Sequence, residues 1–455
     1  MKKILLISHY SGLHGAERAL LTLCTGLSKE IEFLVVTPQR GDLNEELELL
    51  GIETKVIGLS RWIEYGTNLH KKEAPYRREV VEELVQLIKD ANIDIVHTNT
   101  SIILEGALAA REARIPHVWH LHEFLDNHPS LTLPFPVYFT YKVIETLSDR
   151  VVVVSQALEQ SVKRYVQPEK VQTIPNGVFH TRQTGDVRAE LGLPEKSFVI
   201  TNVGTSSKEK GSEALLEAAI RICNSLPDTV FLMVGPQADT ALHEKLLQKV
   251  NDHCLTDRIL YLGFRNDVPK ILADTDIYVC ASLTETFGLS LVEAMSFGNP
   301  VISTRCGGPE EIVDHNATGL LVEVDDVDQM VSAITKLYHS PSLRKAFGMA
   351  GLEKYSSQFT PETYLASFKA LYWSLEKTAG QQDERLSKAL LQLLEFDQYR
   401  GVAAITPTPY EVSAAERKLA EILNSMSWRV TAPLRAVGSF FPGVMSVLRK
   451  MSKSK

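Results

Sequence analysis

Several features are missing from this 455-residue chain. It has no run of about 18 consecutive apolar residues, so no segment reads as a membrane-spanning helix. Its five cysteines (Cys24, Cys223, Cys254, Cys280 and Cys306) form no Cys-x-x-Cys pair and are odd in number. That argues against a zinc site or a disulfide framework and suits buried thiols in a reducing cytosol. Positive charge is not in excess: the formal net charge is −8, which argues against nucleic acid as the main partner. After Glu421 there is no acidic residue at all.

What is present points to a globular chain. An apolar content of 44% can bury a core in each of two or three domains. The opening Met1-Lys2-Lys3-Ile4-Leu5-Leu6-Ile7-Ser8-His9-Tyr10 has the lysines and apolar start of an export signal. Polar residues end the run after a few positions, so a first β-strand fits better. Short Val/Ile-rich runs then alternate with helical patterns, as parallel sheets with crossover helices require. One set comprises Ile4–Ser8, Glu32–Thr37, Ile93–His97, His117–Leu121, Arg150–Ser155 and Val171–Ile174. A second comprises Phe198–Gly204, Val230–Gly235, Ile259–Gly263, Ile277–Ala281, Val301–Thr304 and Gly319–Glu323. The expected fold is α/β, with two Rossmann-like domains facing a cleft, a boundary near Gly177–Asp186, and a C-terminal helical tail.

Chemistry concentrates at strand ends. Thr284-Glu285-Thr286-Phe287-Gly288-Leu289-Ser290-Leu291-Val292-Glu293 places Glu285 on the loop after the Ile277–Ala281 strand. A helix starting near Gly288 and stopping at Gly298-Asn299-Pro300 would aim the Thr286–Leu289 amides at a phosphate or sugar hydroxyl. Glu293, further along that helix, can accept two hydroxyl hydrogen bonds, as a ribose diol requires. Taken alone, such a pair reads as a helix cap and a solvated carboxylate. Gly307-Gly308-Pro309-Glu310-Glu311 close behind favours a pocket.

Gly204-Thr205-Ser206-Ser207-Lys208-Glu209-Lys210-Gly211 lies between a strand and the helix from Ser212, a plausible diphosphate cradle. Lys210 and Lys208 are its candidate charges or else surface lysines. Ser11-Gly12-Leu13-His14-Gly15-Ala16-Glu17-Arg18 opens the first helix, and its glycines allow an anion close to the backbone. It is not G-x-G-x-x-G, which argues against a nicotinamide dinucleotide. His14 reads equally as a loop residue. His120 and His122 share one face of their strand, so one can reach the cleft while the other is structural. Asp274-Thr275-Asp276 spells the pattern of metal-dependent sugar transferases, yet it precedes a buried strand, where aspartates commonly end the helix before.

At these residues the chain resembles the retaining glycosyltransferases of the GT-B fold in the family-4 group, over about Met1–Lys377 and most specifically over Ile259–Val324. Glu285 and Glu293 match the family's Glu-x7-Glu motif, and Gly307–Glu311 its Gly-Gly-Pro-x-Glu segment. Ile174–Val178 matches its domain junction and Gly12–Glu17, including Gly15, its N-terminal glycine loop. The resemblance implies an acceptor-side domain over 1–178 and a nucleotide-sugar domain over 179–360. A helix over 361–378 would pack back on the first domain, followed by a tail over 379–455. It implies that Glu285 and the Phe287, Gly288 and Leu289 amides hold the donor sugar, that Lys210 neutralises the diphosphate at the Gly204–Thr205 loop, and that Thr286 is among the donor-binding residues. Glu293 would hold the ribose, and His122 would lie near the reacting centre. No metal or other cofactor is implied, since positive side chains and helix ends stabilise the leaving diphosphate. The sequence departs from the family at Thr205, where arginine is usual; Lys208 or another arginine is then left to supply that charge.

In the tail, Trp428, Val430, Leu434, Val437, Phe440, Phe441, Val444 and Val447 interleave with Arg429, Arg435, Arg449, Lys450, Lys453 and Lys455. Residues 422–455 suit an anionic membrane surface or a protein partner, although Pro433 and Pro442 break any long helix. Ser427–Arg435 resembles an element of bacterial surface-polysaccharide transferases. That implies a glycan or lipid-linked glycan acceptor and a cytoplasmic enzyme peripheral on the inner membrane face. Two readings stand: an active hexosyl or deoxyhexosyl transferase, or a catalytically weak GT-B subunit that binds nucleotide sugar or glycan and scaffolds an assembly.

Overall fold

Strands that are apolar on both faces belong in parallel sheets covered by helices, because only there is neither face left in water. The structure, a computed structural model, describes residues 1–66, 75–126, 128–180 and 186–375. The expected tail over 379–455 therefore lies outside the described residues, as does 181–185 of the domain boundary. In chain order the first half supplies β1 (Lys2–Ile7), β2 (Ile31–Thr37), β3 (Glu53–Val56), β4 (Glu64–Tyr65) and β5 (Ile95–Thr98). It continues with β6 (His117–Leu121), β7 (Leu131–Thr132), β8 (Arg150–Val153) and β9 (Val171–Thr173). One parallel sheet runs in the order β3-β2-β1-β5-β6-β8-β9, while β4 and β7 pair antiparallel as a separate short ribbon.

The second half supplies β10 (Phe198–Val203), β11 (Thr229–Val234), β12 (Ile259–Gly263), β13 (Ile277–Cys280), β14 (Val301–Thr304) and β15 (Gly319–Val322). They form a parallel sheet in the order β12-β11-β10-β13-β14-β15. Every expected strand is present with its ends within two residues. The first sheet has one strand more than expected. β3 reads Glu-Thr-Lys-Val, is largely exposed and sits at the sheet edge, so it lacks the apolar signal of an interior strand.

Both sheets reverse their winding direction at one place, between β1 and β5 in the first and between β10 and β13 in the second. Loops leaving the carboxyl ends of these pairs open a crevice, where doubly wound sheets take their ligands. The two crevices meet. Phe287, Leu291 and Ile312 of the second half share one buried cluster with Leu125 and Tyr141 of the first.

The chain crosses between the halves twice, near residues 178 and 359, and the crossings are tied together. The Val178 amide donates to the Phe359 carbonyl at 2.9 Å, and the Tyr355 hydroxyl to the Val178 carbonyl at 2.8 Å. The returning helix Pro361–Ser374 buries Tyr364, Phe368, Leu371 and Tyr372 against Ile4, Leu6, Leu20 and Leu23 of the first half. Tyr364 donates to the Ala19 carbonyl at 3.1 Å, and Lys2 Nζ to the Tyr372 carbonyl at 2.7 Å. Among the described residues no helix is long and apolar enough to cross a membrane.

Candidate active site

On the second half, β13 ends in the loop that carries Glu285, and Gly288 at φ +106° turns that loop into the helix Leu289–Ser296. A side chain at residue 288 would strain this turn. The Gly307-Gly308 segment presses against the loop: the Gly308 amide donates to the Glu285 carbonyl at 2.8 Å, and a Cβ at residue 308 would collide with the Thr286 carbonyl. The first amides of the Leu289–Ser296 helix have no intrahelical acceptor and give that end a partial positive charge. Tyr278, fully buried on β13, braces the arrangement by donating to Ser290 Oγ at 2.7 Å.

Lys210 lies on the loop after β10, and its Nζ reaches Glu285 Oε2 at 2.5 Å. Burial works against the Lys210 ammonium. The Glu285 charge and hydrogen bond outweigh that penalty and hold the lysine above its ordinary value. Gly204 lies beside the Lys210 stem, and Thr205 is half-buried next to it. Lys208 points to solvent instead. The neighbouring strand ends thus bring Gly204, Thr205, Lys210, Glu285, Thr286, Phe287, Gly288 and Leu289 to one mouth.

Glu293 is 7% exposed, one turn further into its helix. Its Oε1 takes a hydrogen bond from Arg18 Nη2 of the first half, and its Oε2 is buried with no hydrogen-bond partner among the described residues. Glu311 also faces the other domain. Its carboxylate accepts from the Gln156 amide at 2.8 Å and the Ala157 amide at 2.5 Å, at the start of the helix Gln156–Val162.

The first half contributes the loop Ser8–His14 and the helix Gly15–Leu27, whose first residue abuts Leu289: a Cβ at residue 15 would lie 3.3 Å from Leu289 Cδ1. Glu17 is buried, accepts from Ser8 Oγ at 3.0 Å and lies 3.6 Å from His9 Nδ1; burial pushes its carboxyl up to about 7. The His14 ring tilts against Tyr10, and loss of water lowers its imidazole.

His122 follows β6 and its Nε2 pairs with Asn99 Oδ1 at 3.0 Å. Burial first, and then nearby His9, push its imidazole down to about 3, so it is a neutral hydrogen-bonding group near pH 7. The His122 carbonyl accepts from Thr286 Oγ1 at 2.6 Å, which joins the histidine segment to the Glu285 loop. His120 is fully buried among His97, His122 and Phe368, with no hydrogen-bond partner on either ring nitrogen among the described residues. Of the two histidines, His122 is the one at the cleft.

Asp274 and Asp276 have structural work: Asp274 accepts from the Val187 amide at 2.8 Å, and Asp276 from the Val199 amide at 2.8 Å and from Arg188 at 3.0 Å. Among the described residues no group of three or more His, Cys, Asp or Glu side chains is arranged to hold a metal ion.

Sequence reasoning assigned no role to Arg18, Asn99 or Tyr278. Asn99 had a readable signal, since His97-Thr98-Asn99-Thr100-Ser101 is a polar run at the end of a strand and all five residues are buried. The role of Arg18 depends on how two domains face each other, which no local pattern encodes.

Comparison with known proteins bears on the family and the fold. Residues 13–182 match the family model described as Glycosyltransferase Family 4, and residues 183–354 the model described as Glycosyl transferases group 1. The UDP-Gal:alpha-D-GlcNAc-diphosphoundecaprenol alpha-1,3-galactosyltransferase of Escherichia coli is 33% identical over 270 residues, covering 56% of this chain and 68% of that protein. The N-acetyl-alpha-D-glucosaminyl L-malate synthase of Bacillus anthracis is 28% identical, covering 66% of this chain and 80% of that protein. Among solved structures, Anabaena Alr3699/HepE in complex with UDP and glucose superposes with a TM-score of 0.71 at 23% identity, covering 82% of this chain and all of that one. By its fold and these matches, the chain belongs to the GT-B glycosyltransferases of the family-4 type.

Proposed function

We propose that this glycosyltransferase moves a hexosyl or deoxyhexosyl group from a nucleotide-diphosphate sugar to a glycan acceptor with retention of configuration, in cell-surface polysaccharide biosynthesis. The observation that carries the reading is the meeting of the Lys210–Glu285 pair with the start of the Leu289–Ser296 helix, across from His122. The leaving diphosphate lies against the helix amides and the Lys210 ammonium, which stabilise charge as it develops. Glu285 accepts hydrogen bonds from sugar hydroxyls, and Glu293 takes the ribose. Neutral His122 presents a hydrogen-bonding group to the transferring sugar or the acceptor. The bond from the anomeric carbon to the phosphate oxygen breaks, the acceptor oxygen bonds that carbon on the same face, and the acceptor proton passes to the leaving phosphate. The reaction needs neither a metal nor a cofactor besides its donor substrate.

A lipid-linked glycan acceptor is favoured because the Escherichia coli relative is named for a diphosphoundecaprenol substrate. The enzyme then works in the cytoplasm at the inner membrane face, where 422–455 can reach anionic lipid or a protein partner. One observation favours a second reading, a catalytically weak GT-B subunit that scaffolds glycan assembly: Thr205 stands where the family usually places an arginine.

The test is nucleotide release across UDP-, GDP-, dTDP- and ADP-sugars, with the wild type and Glu285→Ala in parallel. Turnover of one donor that vanishes in the variant is expected. Nucleotide binding without turnover of any donor, even with lipid-linked acceptors, would favour the scaffold.

A further inference from the structure

Arg18 is an arginine of the acceptor-side half whose guanidinium ends on the donor-side carboxylate Glu293. Its helix starts at Gly15, packed against Leu289, so the base of the arginine is fixed at the meeting of the domains. The pair is lopsided: Arg18 holds Oε1, while Oε2 is buried with no hydrogen-bond partner among the described residues. A buried carboxylate oxygen without a donor is costly, and a ligand hydroxyl placed against it would remove the cost. Arg18 is itself half exposed, so its side chain is not needed to fill the core.

We propose that Arg18 is a positioning residue for the donor: by pinning Oε1 it turns Oε2 of Glu293 toward one hydroxyl of the nucleotide ribose. The inference rests on the assignment of Glu293 to the ribose. Because the pinning group comes from the opposite domain, the ribose contact is fully formed only when the halves face each other as they do here. Arginine suits the task better than lysine, since its planar fork fixes the direction of the carboxylate as well as its charge.

The test measures binding of UDP, GDP and ADP with their 2′-deoxy and 3′-deoxy counterparts, and of dTDP with its 3′-deoxy counterpart, by calorimetry to the wild type, Arg18→Ala, Arg18→Lys and Glu293→Gln. The wild type should bind one nucleotide about tenfold tighter than one of its deoxy counterparts, the usual scale for a hydrogen bond to a charged group. Arg18→Ala should weaken that nucleotide about tenfold and bind the deoxy counterpart equally well, with Arg18→Lys in between. In turnover, Arg18→Ala should raise KM for the nucleotide sugar and leave kcat within about threefold. If Glu293→Gln loses the ribose preference while Arg18→Ala keeps both affinity and preference, the role of Arg18 is overturned and the ribose assignment stands. If Glu293→Gln also keeps the preference, or none of the nucleotides binds, the ribose assignment fails and takes the proposal with it.

Discussion

The two halves share one sheet design but differ in their buried titratable groups. The first half buries a set of histidines and carboxyls beside its strands and holds them neutral. Burial is the leading cause in each case: it lowers His9 to about 4 and His117 and His122 to about 3, holds His97 and His120 well below the ordinary value, and raises Glu17 to about 7. Glu105 and Glu123 are raised for the same reason. Both halves carry ion pairs, such as Lys142 with Glu145 at 2.6 Å in the first, but the second sets one at the pocket, Lys210 with Glu285 at 2.5 Å, beside Arg188 with Asp276 at 3.0 Å and Arg265 with Asp267 at 2.7 Å. The Arg265 hydrogen bond, against a smaller burial penalty, draws Asp267 down to about 2. The first half thus packs neutral titratable groups around its strand ends, while the second half holds the Lys210–Glu285 charge pair at the pocket.

The largest expected consequence is a split response to acid. An imidazole held below its unfolded value of 6.5 lends stability that is fully present above pH 6.5 and is lost as pH falls toward the folded value. Each such histidine costs about 1.4 kcal/mol per pH unit in that window. Raised carboxyls work the other way: Glu17 contributes stability that is present below about pH 4.5 and lost as pH rises to about 7. Among the described residues of the first half, seven lowered imidazoles, His14 and His128 included, outnumber three raised carboxyls, so the net effect there is a loss on acidification. Asp267 keeps its contribution until pH falls below about 3.8. Hydrogen exchange at pH 7.5 and 5.5 should show β1, β5 and β6 losing protection by more than tenfold while β10, β13 and β14 change little. Equal loss in both halves would break the comparison.

A second prediction sharpens the boundary between the halves. Glu311 belongs to the donor half yet caps a helix of the acceptor half, so Glu311→Ala should cost about 1 kcal/mol, as lost caps do, in thermal or urea unfolding. The same variant should loosen closure and raise the donor KM severalfold. Unchanged stability and KM would mean that the cap is incidental.

The smallest effect is expected from the exposed Arg221–Asp328 pair, at 2.7 Å but with Asp328 open to water. Arg221→Ala should leave the urea midpoint indistinguishable from wild type, since exposed pairs are screened by water and salt. A lower midpoint would mean that surface pairs, and not only the pocket pairs, stabilise the donor half.

The comparison also marks what could be read in advance. All the apolar strands were legible because parallel strands buried on both faces write themselves as continuous Val/Ile/Leu runs. β3 was not, because an exposed edge strand needs no such run. The meeting of Glu285, Gly288 and Lys210 was legible as well: they sit on short loops at neighbouring strand ends, where spacing along the chain nearly fixes spacing in space. Contacts across the cleft were not. Arg18 with Glu293 and Glu311 with the Gln156 amide join residues far apart in sequence, through a domain orientation that depends on the packing of the whole interface.

The most direct measurement of the donor-site account sets nucleotide binding against turnover in Glu285→Ala and Glu293→Ala. Glu285→Ala should bind the free nucleoside diphosphate within about twofold of wild type and lose sugar-dependent turnover at least about a hundredfold. Glu293→Ala should weaken the free nucleotide itself by about tenfold. Wild-type binding and turnover in both variants would contradict the assignment of the donor to this pocket.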